Sequence, residues 1–440
     1  MQFRIHALLM ASALLCSGAA RAQDAEVPEP AVSAPAVEPA IATLLDTDAH
    51  ELIEGTNAFS LDLLRAVGQR DSNLIVSPAS VSAAGGLAYR GAVGETARQL
   101  QQVMRYPFEP VRTLKASGAM MDTMSFSGPG RDLRTANALW LQDSMPLNEP
   151  FERDMATYAK AGFERANFKA DPEAARRRIN QWVSDATREN IEELLKKDQI
   201  STCTRTVLVN AIWFKADWLA PFTSGMTKTE PFTAIDGRKT PLRLMHQSSD
   251  FRALKRGSVS AIQLPYKGRE VALVAFLPDD YDDLPRFEEK LTAKELANWF
   301  DALDRTEPRE TLLSFPRFKL RWGTDLSTTL KAMGAPLAFS NDADFSNMAR
   351  LPYPGGDPSE RGLKISHVIH EATVEVDETG SEASAATAML MDMIPTGRHR
   401  GPPPPPPFVF RADKPFLFLL RDLRTGLILF VGRYVQPEPN

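Results

Sequence analysis

Runs rich in β-branched and aromatic residues dictate most of what this chain can become: 206–218 (TVLVNAIWFKADW), 260–278 (SAIQLPYKGREVALVAFLP), 312–320 (LLSFPRFKL), 370–378 (HEATVEVDE) and 416–434 (FLFLLRDLRTGLILFVGRY). Such residues suit a pleated surface, and several of the runs are bounded by Gly, Pro or Asp, which punctuate strands. In the last run Arg424, Thr425 and Gly426 turn between two apolar stretches, which predicts a hairpin. The segment 171–195 (DPEAARRRINQWVSDATRENIEELL) reads differently. It opens with Asp171 as a cap and Pro172 in the first turn, and places Ala175, Ile179, Trp182, Val183 and Ala186 on one stripe. This predicts an amphipathic helix with Arg176, Arg177 and Arg178 on its solvated side. Helices early and antiparallel strands late point to an α+β fold with large sheets.

The chain has 440 residues, enough to bury a large core. Its start (MQFRIHALLMASALLCSGAARAQDA) has a basic residue at Arg4, an apolar run over 7–16 and small residues at Ala20 and Ala22, the pattern of a secretory signal peptide covering 1–22. The apolar run is too short to span a bilayer, and no other run is long enough. A Pro, Ala and Glu-rich linker follows over 23–43, and with no fixed-period repeat beyond it, 44–440 reads as a single domain. Without the leader, Cys203 is the only cysteine, so no internal disulfide can form and stability must come from packing. Cys203 itself is expected to be small, buried and inert. Leader, tether and absence of disulfides together suggest export, to the periplasm or as a secreted, extracellular protein. A net charge of −5 argues against a nucleic-acid partner.

Enzyme chemistry finds little support. There is no G-x-S-x-G elbow, no phosphate-binding glycine loop, no dinucleotide glycine pattern and no H-E-x-x-H. His367 and His370 have the look of a metal pair, but their odd separation in a strand sends them to opposite faces. No cofactor or metal is expected.

Several segments, in order, resemble the serpin family. The stretch 73–100 (NLIVSPASVSAAGGLAYRGAVGETARQL) is similar to its early helix and the region beyond, 207–222 (VLVNAIWFKADWLAPF) to a sheet strand, and 410–422 (FRADKPFLFLLRD) to its C-terminal signature. LPYKGREVALVAFLPDD, SFPRFKL and HEATVEVDETGSEASAATA match as well, so the resemblance covers nearly all of the chain after the tether. It implies three β-sheets surrounded by helices, with an exposed reactive loop near the C-terminus, here about 378–409. It further implies a monomeric suicide substrate: a target protease cuts the loop, and the loop's N-terminal part enters the large sheet with the protease still attached.

The residues of that loop can be read physically. A strand entering a sheet interior needs unbroken backbone donors, and from Glu378 through Ile394 there is no proline. Ser381, Ala383, Ala385, Thr387, Met389, Met391 and Met393 share one parity and carry no charge. Glu382 and Asp392 lie on the other, with Ser384, Ala386, Ala388 and Leu390. The resemblance makes Glu378, Gly380, Ser381, Ala383, Ala385, Ala386 and Thr387 the hinge, Gly380 supplying freedom to turn. At the family's usual spacing from this hinge, the resemblance puts the reactive bond at Met393–Ile394, which implies an elastase-like or chymotrypsin-like target. Arg398 and Arg400 are alternative sites that would attract a trypsin-like protease, and a papain-like one is a further possibility. Pro402 to Pro407 read as a polyproline II spacer beyond the cut.

The resemblance also implies a polar shutter beneath the opening sheet made of Ser77, Ser80, Asn210 and His370, and a breach tryptophan, Trp218, where the loop first enters. The competing function is a non-inhibitory serpin acting as a binding, carrier or chaperone protein. A charge or proline at Ser381 or Ala383 would have favoured it, and neither is present.

Overall fold

The structure, a computed structural model, describes residues 47–124, 126–159, 162–351, 362–380 and 405–437, all within one compact unit. The expected leader (1–22) and linker (23–43) lie outside the described residues. In chain order the strands are β1 Leu74–Val76, β2 Phe126–Gly128, β3 Arg131–Gln142, β4 Gly162–Ala166, β5 Thr206–Ala216, β6 Lys228–Thr233, β7 Lys239–Arg256, β8 Val259–Pro265, β9 Val271–Pro278, β10 Arg309–Pro316, β11 Phe318–Asp325, β12 His367–Val376, β13 Phe408–Arg411, β14 Phe416–Asp422 and β15 Ile428–Tyr434. The helices used below are α1 Thr47–Ala66, α2 Pro78–Gly91, α3 Gly94–Met104, α4 Pro110–Met124, α5 Glu149–Tyr158, α6 Pro172–Ala186 and α7 Leu284–Lys290.

Two of the three sheets share β7. The 18-residue β7 pairs β6 and β10 along its first part and β8 along its last part, so the β6, β10, β13 layer runs on into the β8, β9, β14, β15, β1 layer. The third, central sheet has the order β11-β12-β5-β3-β2, with β4 added to β3. Three neighbouring pairs are parallel: β12 with β5, β3 with β4, and β10 with β13. The late strands expected to be antiparallel therefore include β12 and β13, each paired in parallel with a strand far back in the chain. The run 312–320 is likewise two strands. It leaves one sheet at Pro316 and enters the central sheet at Phe318, because Pro316 cannot donate to a ladder.

Both faces of the central sheet are covered. On the inner face lies α2, buried along its whole length. Its sequence, PASVSAAGGLAYRG, is built of small residues, and a Cβ at Gly91 would collide with Met348, so the helix lies close against its neighbours. On the outer face α6 packs Ala175, Ile179 and Val183 against Trp140, Val207, Val209, Ala211 and Ile369, with Trp182 and Ala186 at the margin. Asp171 caps α6 by accepting from the Ala174 amide at 2.8 Å. Burial on both faces explains why β5 reads as an almost unbroken apolar run. Cys203 departs from expectation. It sits exposed in the segment leading into β5 rather than in the core.

One ion pair is deep in the core. Arg433 on β15 donates to Glu288 on α7 at 2.6 Å, with side chains 2% and 5% exposed. Burial pushes the Glu288 carboxyl up and the Arg433 guanidinium down. Arg433→Met is therefore expected to cost about 3–5 kcal/mol in urea unfolding, because it strands a buried carboxylate, and Glu288→Leu in the same chain should restore much of it. A single variant as stable as the parent would contradict this.

Candidate functional site

The β5–β12 seam is a parallel ladder running from His367 opposite Val207 to Val374 opposite Phe214. Within it His370 stands opposite Asn210, and Asn210 stands opposite Asn137 on β3, so three polar side chains line up across three strands. The N-terminus of α2 meets them from below. Ser80 Oγ donates to Asn137 Oδ1 at 2.7 Å, and Asn210 Nδ2 donates to Asn137 Oδ1 at 2.5 Å and to Ser80 Oγ. Ser77, which caps α2, donates its hydroxyl to the Leu429 carbonyl on β15 at 2.7 Å.

His370 closes the network. Asn210 Oδ1 can only accept, so His370 Nδ1 carries the proton toward it, and His370 Nε2 accepts from the Ser77 amide at 3.2 Å. A second ring proton would point at that amide, donor against donor. Geometry and burial thus favour the same neutral imidazole, and full burial lowers the His370 pKa to about 3.

The second cluster lies where β12 ends, six residues and about 20 Å along the strand from His370. The segment Asp377, Glu378, Thr379, Gly380 docks its backbone onto the chain following β5. The Trp218 amide donates to the Thr379 carbonyl at 2.8 Å and the Phe222 amide to the Glu378 carbonyl at 2.7 Å. The Trp218 indole donates to the Asp377 carbonyl at 2.9 Å, and its ring stacks on Tyr266 with centroids 4.3 Å apart. The Glu378 side chain is buried. Its carboxylate accepts from Thr227 Oγ1 at 2.8 Å and is shared by Arg317 at 3.4 Å and Arg243 at 3.8 Å. Gly380 has φ +98°, and a Cβ there would strike the Ala216 carbonyl and the Trp218 nitrogen, so only glycine fits.

The structure thus brings Ser77, Ser80, Asn210 and His370 into one network, and Trp218, Glu378 and Gly380 into another. Ser381, Ala383, Ala385, Ala386, Thr387, Met393, Ile394, Arg398 and Arg400 lie outside the described residues. Sequence reasoning did not single out Asn137, Thr227, Arg243, Tyr266 or Arg317. Asn137 had a signal, a lone amide between apolar residues in ANALWL. His367 and His370 diverge, His367 pairing with Asp325 at 2.7 Å while His370 faces Ser77. Among the described residues no group of three or more His, Cys, Asp or Glu could hold a metal, and no helix is long and apolar enough to cross a membrane.

Comparison with known proteins adds the lineage. Residues 54–437 match the family model described as serpin (serine protease inhibitor). The chain belongs to the serpin family. It is 33% identical to Serpin B6 of Pongo abelii over 400 residues, covering 88% of this chain and 99% of the relative. It is 30% identical to an uncharacterized serpin-like protein of Methanosarcina mazei, covering 88% of each. Among solved structures, the thermophilic serpin tengpin in its native state superposes with a TM-score of 0.77 at 24% identity, covering 89% of this chain and 95% of tengpin. The serpin fold is therefore shown, and family membership makes this chain kin to protease inhibitors rather than enzymes.

Two outcomes are expected of this serpin. The His370 imidazole is depressed from 6.5 in the unfolded chain to about 3 when folded, so between those values the unfolded state binds the extra proton. Stability from this group is complete above pH 6.5 and falls as pH drops toward 3, with a slope of up to about 1.4 kcal/mol per pH unit. Urea unfolding of the parent and of His370→Gln should diverge in this window, and parallel pH profiles would contradict the assignment. Gly380→Ala should cost about 1–3 kcal/mol locally and speed hydrogen exchange at the Trp218 and Phe222 amides. Unchanged protection there would mean that the hinge does not depend on glycine.

Proposed function

We propose that this serpin inhibits a serine protease as a single-use substrate, with residues following Gly380 inserting between β5 and β12 after cleavage. The observation that carries this reading is the closed parallel seam, with the hinge docked at one end of it. A chain that turns at Gly380 and runs back along β12 is antiparallel to β12, and therefore to β5 as well. Insertion then replaces one parallel ladder with two antiparallel ones, which pair slightly better per residue. The residues available suit a sheet covered on both faces: none from 381 to 394 is proline, the first several are small, and one parity is free of charge. The charge-free parity matches the side of a buried strand that cannot hold an ion.

Met393–Ile394 is the bond we assign to an elastase-like or chymotrypsin-like protease, with Arg398 or Arg400 serving a trypsin-like one. The leader and tether fit action outside the cytoplasm. The test mixes the purified chain separately with elastase, chymotrypsin and trypsin, then resolves the products on denaturing gels and sequences the released peptide. A complex that survives denaturation is expected, with a new N-terminus at Ile394. Ala383→Pro removes a donor from the inserting strand, so that variant should be cleaved without forming complex. Clean cleavage of the parent by all three, with the protease left active, would overturn inhibition and favour a binding or carrier role.

A further inference from the structure

Beside the hinge lies a cavity of about 950 Å3, within the size range of small-molecule sites. It is bounded by the β6–β7 hairpin, the start of β11, the end of β12 and the chain beyond β15. Its wall holds two buried rings, Phe318 and Tyr434, stacked with centroids 4.9 Å apart. Arg238, Arg243, Arg317 and Lys319 also line it, and the lining contributes one acid, Glu375, already paired with Lys319 at 3.2 Å.

The two central cations are held together and undersupplied. The Arg317 amide donates to the Arg243 carbonyl at 3.0 Å, which fixes the two residues side by side. Both guanidiniums reach for one carboxylate, Glu378 of the hinge, at 3.4 and 3.8 Å, longer than the 2.7–2.9 Å of a well-made charge-assisted hydrogen bond. Neither has another carboxylate within ion-pair distance among the described residues. Two positive charges thus share one negative charge, and both side chains are 42–58% exposed while Glu378 is only 7% exposed.

We propose that this cavity binds a compact organic anion carrying at least two acidic groups, phosphate or carboxylate, held by Arg243 and Arg317 with its apolar body against Phe318 and Tyr434. Such an anion competes with Glu378 for the same two guanidiniums. Binding draws them toward the cavity and leaves Glu378 buried with only the Thr227 hydroxyl, which loosens the docked hinge. By reciprocity, whatever releases the hinge tightens anion binding by the same factor. The consequence for inhibition rests on the function proposed above; the binding does not.

Calorimetric titration of the folded chain at low salt with pyrophosphate and with citrate tests both the site and the acid it prefers. Saturable one-site binding is expected. It should weaken about fivefold in Arg243→Ala and in Arg317→Ala, tighten about fivefold in Glu378→Gln, and stay unchanged in Arg177→Ala on the remote face of α6. Pyrophosphate alone binding would assign phosphate ligands, and citrate alone would assign carboxylates. Because Glu378 is buried, its variant is checked by thermal melting, and the two exposed arginine variants carry the test if it does not fold. Failure of both probes to saturate, or equal affinity in the parent and both arginine variants, overturns the proposal. Loss of protease trapping with anion binding intact would instead count against the inhibitory reading alone.

Discussion

The hydrogen bond between His370 and Asn210 is the contact on which the rest of the molecule depends. It crosses the parallel boundary of the central sheet, where β12 meets β5, and it lies in a buried layer beneath α2. In such a layer every donor needs its acceptor, and the network reaching Ser77, Ser80, Asn137 and the Leu429 carbonyl is complete. Opening the seam separates His370 from Asn210, so that the Nδ1 proton loses its acceptor and the Asn210 carbonyl loses its donor at once, while Asn210 keeps Asn137 and Ser80 and His370 keeps Ser77. The closed arrangement is therefore held by a small number of specific bonds, and it is lost sharply once they are lost.

The hinge has a different physical character. Its docking uses backbone carbonyls at Asp377, Glu378 and Thr379, a glycine that has no room for a side chain, and one carboxylate shared by two arginines. Its apolar support is the cluster of Trp218 with Tyr266 and Phe222. Such a contact is specific in geometry yet modest in energy, which suits a segment that must stay in place until it is displaced. His370 and the hinge are about 20 Å apart on one strand, so a change at one reaches the other through β12 itself.

Much of this was legible in the sequence where one residue type had one physical use. Asp171 and Pro172 announced the start of α6, and the Arg424 to Gly426 turn announced the β14–β15 hairpin, whereas His370 was placed in its network only by the family resemblance. Less was legible where tertiary pairing decides. The parallel partnership of β12 with β5 joins segments more than 150 residues apart, and no local pattern encodes it. The split of 312–320 between two sheets was also hidden, since Pro316 and Arg317 interrupt an apolar run by only two residues. Cys203 was misplaced because its apolar neighbours follow it into β5 while it stays outside. Asn137, Thr227, Arg243 and Arg317 act through partners distant in sequence, which composition alone does not join.

The central claim is that the β5–β12 seam is the place where the chain takes up a further strand, and thermal unfolding before and after a single cut tests it most directly. A protease that the chain does not trap is used to nick the 381–404 region, and the nicked product, both pieces retained, is melted beside the intact protein with circular dichroism. If the freed segment enters the seam and completes two antiparallel ladders, the nicked chain unfolds at a clearly higher temperature than the intact one. A nicked chain that melts at the same temperature or lower would mean that no strand has been added, and the account of the seam would be wrong.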